Sequence, residues 1–205
     1  MNSADAYFHP WIGNQYENGL RGAKVLILGE SHYLWNKYGG RDESKNVVQQ
    51  TIDQGPGNRF WHRVQIGFIG HVATAEERRD FWESVAFYNF IQKPMTSHRT
   101  RPTAKQWQFA ADPFLGILDR LKPELVAVFG KGVFSRLQDL GIEDNPAFAA
   151  ETSAHTRRIP HGQDRSCLAV GFKHPSAGFG GYKHHPLVLA AVQTAAEFRD
   201  RTPAA

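Results

Sequence analysis

Four short apolar segments constrain the fold more than any other feature of the sequence. They lie at residues 24–28, 84–89, 125–129 and 167–172. Segments of this length that are rich in β-branched and aromatic residues are typical of strands buried on both faces. Helical patterns separate them, and strands that alternate with helices predict a parallel sheet. We therefore expect a three-layer α/β/α sandwich around a short four-stranded parallel sheet.

Apolar spacing and capping signals mark the helices between these strands. Apolar residues recur at helical spacing over residues 58–71, and Thr74 with Glu77 predicts a capping box that opens a helix through Arg79. Further helices are predicted at 107–121, 132–140 and 186–199, the last with Pro186 in its first turn. Residues 33–57 are predicted as a long polar loop. We expect a single domain over residues 6–201, with flexible tails at 1–5 and 202–205.

The composition argues against several classes of protein. No apolar run approaches the roughly 20 residues that a membrane helix needs, and residues 1–10 lack the pattern of a signal peptide. Cys167 is the only cysteine, which excludes an internal disulfide and a cysteine-ligated iron–sulfur cluster. We therefore expect a cytoplasmic protein with no membrane partner.

The positive charge of the chain is concentrated in one segment. Lys and Arg exceed Asp and Glu by four, and the whole excess lies between His155 and His185, where five basic residues accompany one acid. Such a local excess favours a polyanionic partner. A basic, solvated loop with no partner is the alternative.

Polar side chains follow three of the predicted strands. Gly29-Glu30-Ser31-His32-Tyr33 follows the first, Asn89 ends the second, and Lys173-His174-Pro175-Ser176 follows the fourth. Ligands of parallel α/β folds bind at the carboxyl ends of the strands. A carboxylate, a carboxamide and an imidazole are therefore expected at one edge of the sheet. Taken singly, each of these residues has the alternative of a structural hydrogen-bonding role.

These motifs, in this order, resemble the uracil-DNA glycosylase superfamily over about residues 22–199. The segment after the first strand resembles the first motif of the family, and Gly57-Asn58-Arg59-Phe60-Trp61 resembles the mismatch-specific and thymine-DNA glycosylase branch. Residues 122–131 are similar to the third strand and its glycine turn. His174-Pro175-Ser176 matches the last motif in the His-Pro-Ser form of the classical uracil enzymes.

The resemblance implies a monofunctional DNA glycosylase that flips a uracil-like or modified base out of DNA and hydrolyses its N-glycosidic bond without a cofactor. His174 would donate a hydrogen bond to the departing base, and Glu30 would position water or stabilise the sugar cation. Asn89 would read the base edge. The further candidates are Ser31 in catalysis, Gly29, His32 and Tyr33 in base binding, and Arg101, Lys173, Ser176, Gly178, Phe179 and Lys183 in DNA binding. The implied setting is a monomer at the bacterial nucleoid, acting in repair or in excision of modified bases from foreign DNA.

Two positions depart from the family pattern. Ser31 stands where many branches carry an Asp or Asn that activates water, so the expected outcomes are weak activity, a changed substrate, or dependence on Glu30 for the water. Gly178 stands where related enzymes carry a leucine wedge, which transfers the wedge role to Phe179. An alternative is therefore a catalytically silent DNA-binding member of the same fold.

Other kinds of site fit the sequence less well. A hydrolase with a Gly-Glu-x-His motif, as in erythromycin-esterase-like and haem-binding proteins, leaves the 58–61 and 174–176 motifs unexplained. His184 and His185 are adjacent and lack the i, i+4 spacing that zinc favours, so no metal site is predicted. Ser31 as a nucleophile lacks the Gly-x-Ser-x-Gly context.

Overall fold

The computed structural model describes residues 6–34, 40–97, 99–137, 143–144, 155–161 and 165–201. Over these ranges the chain is a mixed α/β protein. Its strands are β1 (Trp11–Ile12), β2 (Val25–Gly29), β3 (Val85–Asn89), β4 (Leu125–Phe129), β5 (Glu143–Asp144), β6 (His155–His161) and β7 (Arg165–Phe172). Its α-helices are α1 (Glu43–Gln54), α2 (Arg59–Ile69), α3 (Ala75–Glu83), α4 (Ala104–Leu121), α5 (Lys131–Arg136) and α6 (Gly181–Arg201). The tails predicted at 1–5 and 202–205 lie outside the described residues.

The described strands form one sheet in the order β1-β3-β2-β4-β7-β6-β5. The four central strands, β3, β2, β4 and β7, are parallel and are the four that the sequence predicts. The predicted total of four is wrong, because β1, β6 and β5 add antiparallel edges. β1 has only two residues, and β6 contains Arg157, Arg158 and Pro160, which are poor strand signals.

The two faces of the sheet carry separate apolar cores. Along β2, Val25 and Ile27 belong to one core, while Leu26 and Leu28 belong to the other, as the alternation of a strand requires. Helices α1, α2, α3 and α6 supply side chains to the first core, and α4 and α5 supply them to the second. Each fully buried apolar side chain contributes about 1.5–3 kcal/mol. Burial on both faces therefore holds the carboxyl ends of the central strands in fixed register.

The helix starts follow the capping signals where such signals exist. The predicted Thr74–Glu77 capping box is confirmed, and α2 begins after Asn58, whose side chain accepts a hydrogen bond from the Phe60 amide at 2.9 Å. Helix α4 begins three residues earlier than predicted, behind a second capping box formed by Thr103 and Gln106. The predicted end of the 132–140 helix lies outside the described residues.

Two predictions about helices are wrong. The 33–57 segment is not a loop throughout, because α1 occupies Glu43–Gln54; only a narrow stripe of this polar helix is buried, including Val48 and Ile52. The last helix begins at Gly181, so Pro186 lies inside it and not in its first turn. Residues 35–39 of the predicted loop, with Trp35 and Tyr38, lie outside the described residues.

Candidate active site

The segments that follow the parallel strands meet at one edge of the sheet. Along this edge Asn89 ends β3, Glu30 follows β2, and His174 follows β7 by two residues. Strand β4, which ends at Phe129, lies between β2 and β7. The structure thus brings the carboxylate, the carboxamide and the imidazole to the same edge, which is where a parallel sheet binds ligands.

Asn89 lies directly against Gly29, its register partner on β2. A Cβ atom built on Gly29 would lie 2.2 Å from Asn89 Oδ1, so only glycine leaves room for this carboxamide. The Asn89 residue is only 5 % exposed, yet among the described residues none hydrogen-bonds to its side chain. A carboxamide carries donors and an acceptor side by side. Asn89 therefore has unused hydrogen-bonding capacity in a nearly dry position.

Glu30 is half-buried beside the start of α5. Its Oε2 atom lies 3.4 Å from the position of a Cβ on Gly132, and the Trp107 ring lies 4.0 Å from the same position. Burial raises the pKa of the Glu30 carboxyl, and the positive charge of Arg101 opposes this shift. A carboxyl whose pKa is raised towards neutrality suits proton transfer.

His174 has one ring nitrogen engaged and the other available. The Ser176 amide donates to Nδ1 at 3.2 Å, and the Ser176 hydroxyl lies 2.7 Å from the same atom. Because a backbone N–H can only donate, Nδ1 accepts and the proton of a neutral ring resides on Nε2. Burial lowers the pKa of His174, and the charge of Arg101 lowers it further. The imidazole is therefore neutral at physiological pH and presents Nε2–H as a donor.

Two further residues, Arg101 and Phe60, interact with the side chains at this edge. Arg101 is exposed, and its charge acts on both Glu30 and His174. It favours the carboxylate form of the first and the neutral form of the second. The Phe60 ring lies 5.6 Å from the His174 ring and 6.1 Å from the Phe87 ring, measured between centroids. The Phe60 ring therefore lies beside the His174 ring. Phe60 belongs to the motif at residues 57–61, for which the sequence predicted no individual role.

Residues 31–33 do not share this arrangement. His32 is 6 % exposed, its Nε2 lies 2.8 Å from the Ser44 hydroxyl, and its ring lies 4.9 Å from the Phe8 ring. Ser44 and Phe8 therefore cover the His32 ring, and its predicted role in base binding stays a prediction. The Ser31 hydroxyl is buried and finds no partner among the described residues. Tyr33 is half-buried and pairs through its backbone with Met95.

The loop between β7 and α6 corrects one prediction. Phe179 has no exposed surface and packs against Phe129, Phe172 and His184, with ring centroids 5.1, 5.6 and 4.7 Å away. A wedge must leave the protein surface to enter a base stack. The predicted wedge role of Phe179 is therefore wrong. Lys173, Ser176, Gly178 and Lys183, the other DNA-binding candidates of this segment, are exposed.

Arg63 is a residue that sequence reasoning missed. Its guanidinium, on α2, donates to the carbonyl oxygen of Pro175 and lies 3.4 Å from that of Phe179. These two contacts fix the loop that carries His174 and Ser176. No local sequence pattern predicts these two contacts, since 112 residues separate Arg63 from Pro175.

Two further classes of site have no support in the described residues. No group of three or more His, Cys, Asp or Glu in this part of the chain is arranged to hold a metal ion. Among the helices of the described residues, none is long and apolar enough to cross a membrane. Comparison with known proteins adds no relative: no protein-family model matches the chain, and no curated protein sequence matches it.

Proposed function

We propose that the chain is a DNA glycosylase that extrudes a uracil-like or modified base and hydrolyses its N-glycosidic bond. The observation that carries the proposal is the meeting of Glu30, Asn89 and His174 at one sheet edge, with Asn89 buried and unpaired and His174 neutral. A base held there meets a donor–acceptor pair, an N–H donor and a carboxyl within one site. The order of the motifs in the sequence points to the same chemistry.

The proposed reaction breaks the bond between C1′ of the sugar and the base nitrogen. Electrons of that bond leave with the base, and His174 Nε2–H stabilises the resulting anion by a hydrogen bond made in a site with little water. The neutral ring can make this hydrogen bond, because Nδ1 accepts from the Ser176 amide and the ring proton therefore lies on Nε2. Asn89 holds the base edge in register.

Glu30 acts at the other side of the broken bond. Its carboxylate stabilises the positive charge that develops on the sugar, and it orients the water that attacks C1′ and accepts the proton that this water loses. Ser31 does not replace it in this role, since the Ser31 hydroxyl is buried away from solvent. Arg101, Lys173, Ser176 and Lys183 contact the DNA backbone, where charge sets affinity and makes it sensitive to salt.

The proposal includes the finer features of the fold and setting. The separate cores on the two sheet faces support a three-layer α/β/α arrangement within one domain over residues 6–201. A monomer that needs no cofactor and acts in the cytoplasm at the nucleoid, in repair or against modified foreign DNA, completes the proposal.

An oligonucleotide panel tests this function. Single-stranded and duplex DNA carrying uracil, a G·T mispair, hydroxymethyluracil or a hypermodified cytosine is incubated with the protein and then treated with alkali, which cleaves abasic sites. We expect scission with at least one substrate and its loss in Asn89→Ala. Binding without scission across the panel would contradict the proposed enzymatic activity and support the alternative of a catalytically silent DNA-binding protein.

A further inference from the structure

Tyr182 lies at the start of α6 with most of its ring in solvent. It is 60 % exposed, whereas most large aromatic side chains of this protein are buried. Lys173 and Lys183 are also exposed. The side chain of Lys183 begins 3.7 Å from a Cβ position on Gly180, and Lys173 Cδ lies 3.2 Å from one on Gly178. We call Lys173, Tyr182 and Lys183 the Tyr182 surface, because all three border the glycine-rich loop that carries His174.

The charge around the Tyr182 surface favours a polyanion. No acidic residue occurs between Asp164 and Glu197, a stretch that includes the whole surface. Helix α2, which packs on α6, has no acid in its first turn and places the exposed Arg59 there. A phosphate group can therefore approach without an opposing carboxylate from α2 or from residues 165–196.

The tip of the loop lacks a side chain that can fill a gap in a duplex. Ser176, Ala177 and Gly178 are the exposed residues of the tip, and none is larger than serine. Phe179, the next residue, is fully buried. Extruding a base from a duplex costs a few kcal/mol and costs least when the base is already unpaired. This loop is therefore better suited to a strand whose bases need no separation.

We propose that Tyr182 stacks on an unpaired base next to the excised nucleotide while Lys173 and Lys183 contact the adjoining phosphates, so that the chain prefers single-stranded DNA to duplex. An exposed aromatic ring with flanking cations is the arrangement by which single strands are held without sequence readout. The inference rests on the proposed function, because it names the form of DNA that the same site receives.

Binding and cleavage are measured separately. Fluorescence anisotropy follows a dye-labelled single strand without any excisable base, and the duplex of the same sequence, with wild type, Tyr182→Ala and Tyr182→Phe. Phe109→Ala is the matched control, since Phe109 is also 60 % exposed and has Lys105 5.6 Å from its ring, but lies on α4. We expect tighter binding of the single strand by wild type and an increase in Kd of about 5- to 150-fold in Tyr182→Ala. Tyr182→Phe and Phe109→Ala should bind as wild type does.

Three results would overturn the inference: equal effects of Tyr182→Ala and Phe109→Ala, duplex binding as tight as that of the single strand, or tighter binding of RNA of the same sequence. Scission is then assayed on uracil-containing strands of both forms. If the binding pattern is as expected but no scission occurs, the proposed function is contradicted and the binding role of the Tyr182 surface is supported. Scission that is unaffected by strand form contradicts the surface alone.

Discussion

The segments after β2 and β7 each carry a histidine just beyond a parallel strand, but the two rings have opposite environments. His32 turns into the core, where Ser44 and Phe8 cover it. His174 is half-buried, and Ser176 leaves its Nε2 available. The difference comes from the contacts of each segment. Ser44 on α1 contacts the His32 ring itself, whereas Arg63 contacts only backbone carbonyl oxygens of the segment that carries His174. A position after a strand brings a side chain to the edge of the sheet, but its neighbours decide whether it faces a ligand.

The sharpest separation of the two histidines is expected from His174→Ala. Removal of one donor to a developing anion costs about 10²- to 10³-fold in rate, while the free energy of unfolding should change little because the ring is only partly buried. Single-turnover scission of the best substrate of the panel gives the rate, and urea unfolding gives the stability. His9→Ala, at an exposed histidine, is the control. Unchanged scission in His174→Ala would remove this residue from the site.

His32→Ala should give the opposite pattern. Deleting this buried ring leaves a cavity and an unpaired Ser44 hydroxyl, so we expect a loss of about 2–5 kcal/mol in the free energy of unfolding. Scission per folded molecule should stay near the wild-type value, since Ser44 and Phe8 already occupy the ring. Urea unfolding and scission at a temperature where the variant remains folded check both. A large drop in scission by a fully folded His32→Ala protein would contradict the assignment of His32 to the core.

The stability should depend on pH through His32 more than through His174. Burial lowers the pKa of His32 to about 3, whereas histidine in an unfolded chain titrates near about 6.5. Between these values the unfolded state binds a proton that the folded state does not, so the free energy of unfolding falls as the pH falls. The slope attributable to His32 approaches about 1.4 kcal/mol per pH unit.

Urea unfolding between pH 7 and pH 5 measures this slope. The His32→Gln variant, which cannot titrate, should show a shallower dependence than wild type. His174 also has a lowered pKa and adds a smaller dependence of the same sign, which His174→Gln isolates. Equal slopes in wild type and His32→Gln would show that the buried ring is not the group that takes up the proton.

The smallest effect is expected from Gly132→Ala, which probes Glu30 from helix α5, the helix that follows the strand between the two compared segments. The new methyl group would lie 3.4 Å from Glu30 Oε2, at the limit of ordinary van der Waals contact, so the carboxylate shifts by at most a few tenths of an ångström. A misplacement of about 1 Å can cost roughly 100-fold, so this smaller shift should slow scission by up to about tenfold. Gly57→Ala, where nothing lies within 4 Å of the new Cβ, is the matched control. Identical rates in the two variants would contradict the expected displacement of the Glu30 carboxylate.

The sequence predicted the central sheet well because its signal is local. Uninterrupted apolar segments identify buried parallel strands, and the observed bounds of β4 match the predicted 125–129 segment. The same pattern predicted that Glu30, Asn89 and His174 would share one edge, since parallel strands end on the same side. It did not predict α1, because the few buried side chains of this helix lie in a polar segment. It also did not predict the edge strand β6, because arginine and proline are poor strand signals.

The sequence by itself therefore determined which residues reach the edge of the sheet, because strand length, alternation and parallel connection are set by local patterns. Only the tertiary structure decided which of them turn towards a ligand. His32 and Phe179 are buried by side chains distant in sequence, and the loop of His174 is held by Arg63 across 112 residues. Contacts of this kind depend on packing between elements, and no spacing along the chain encodes them.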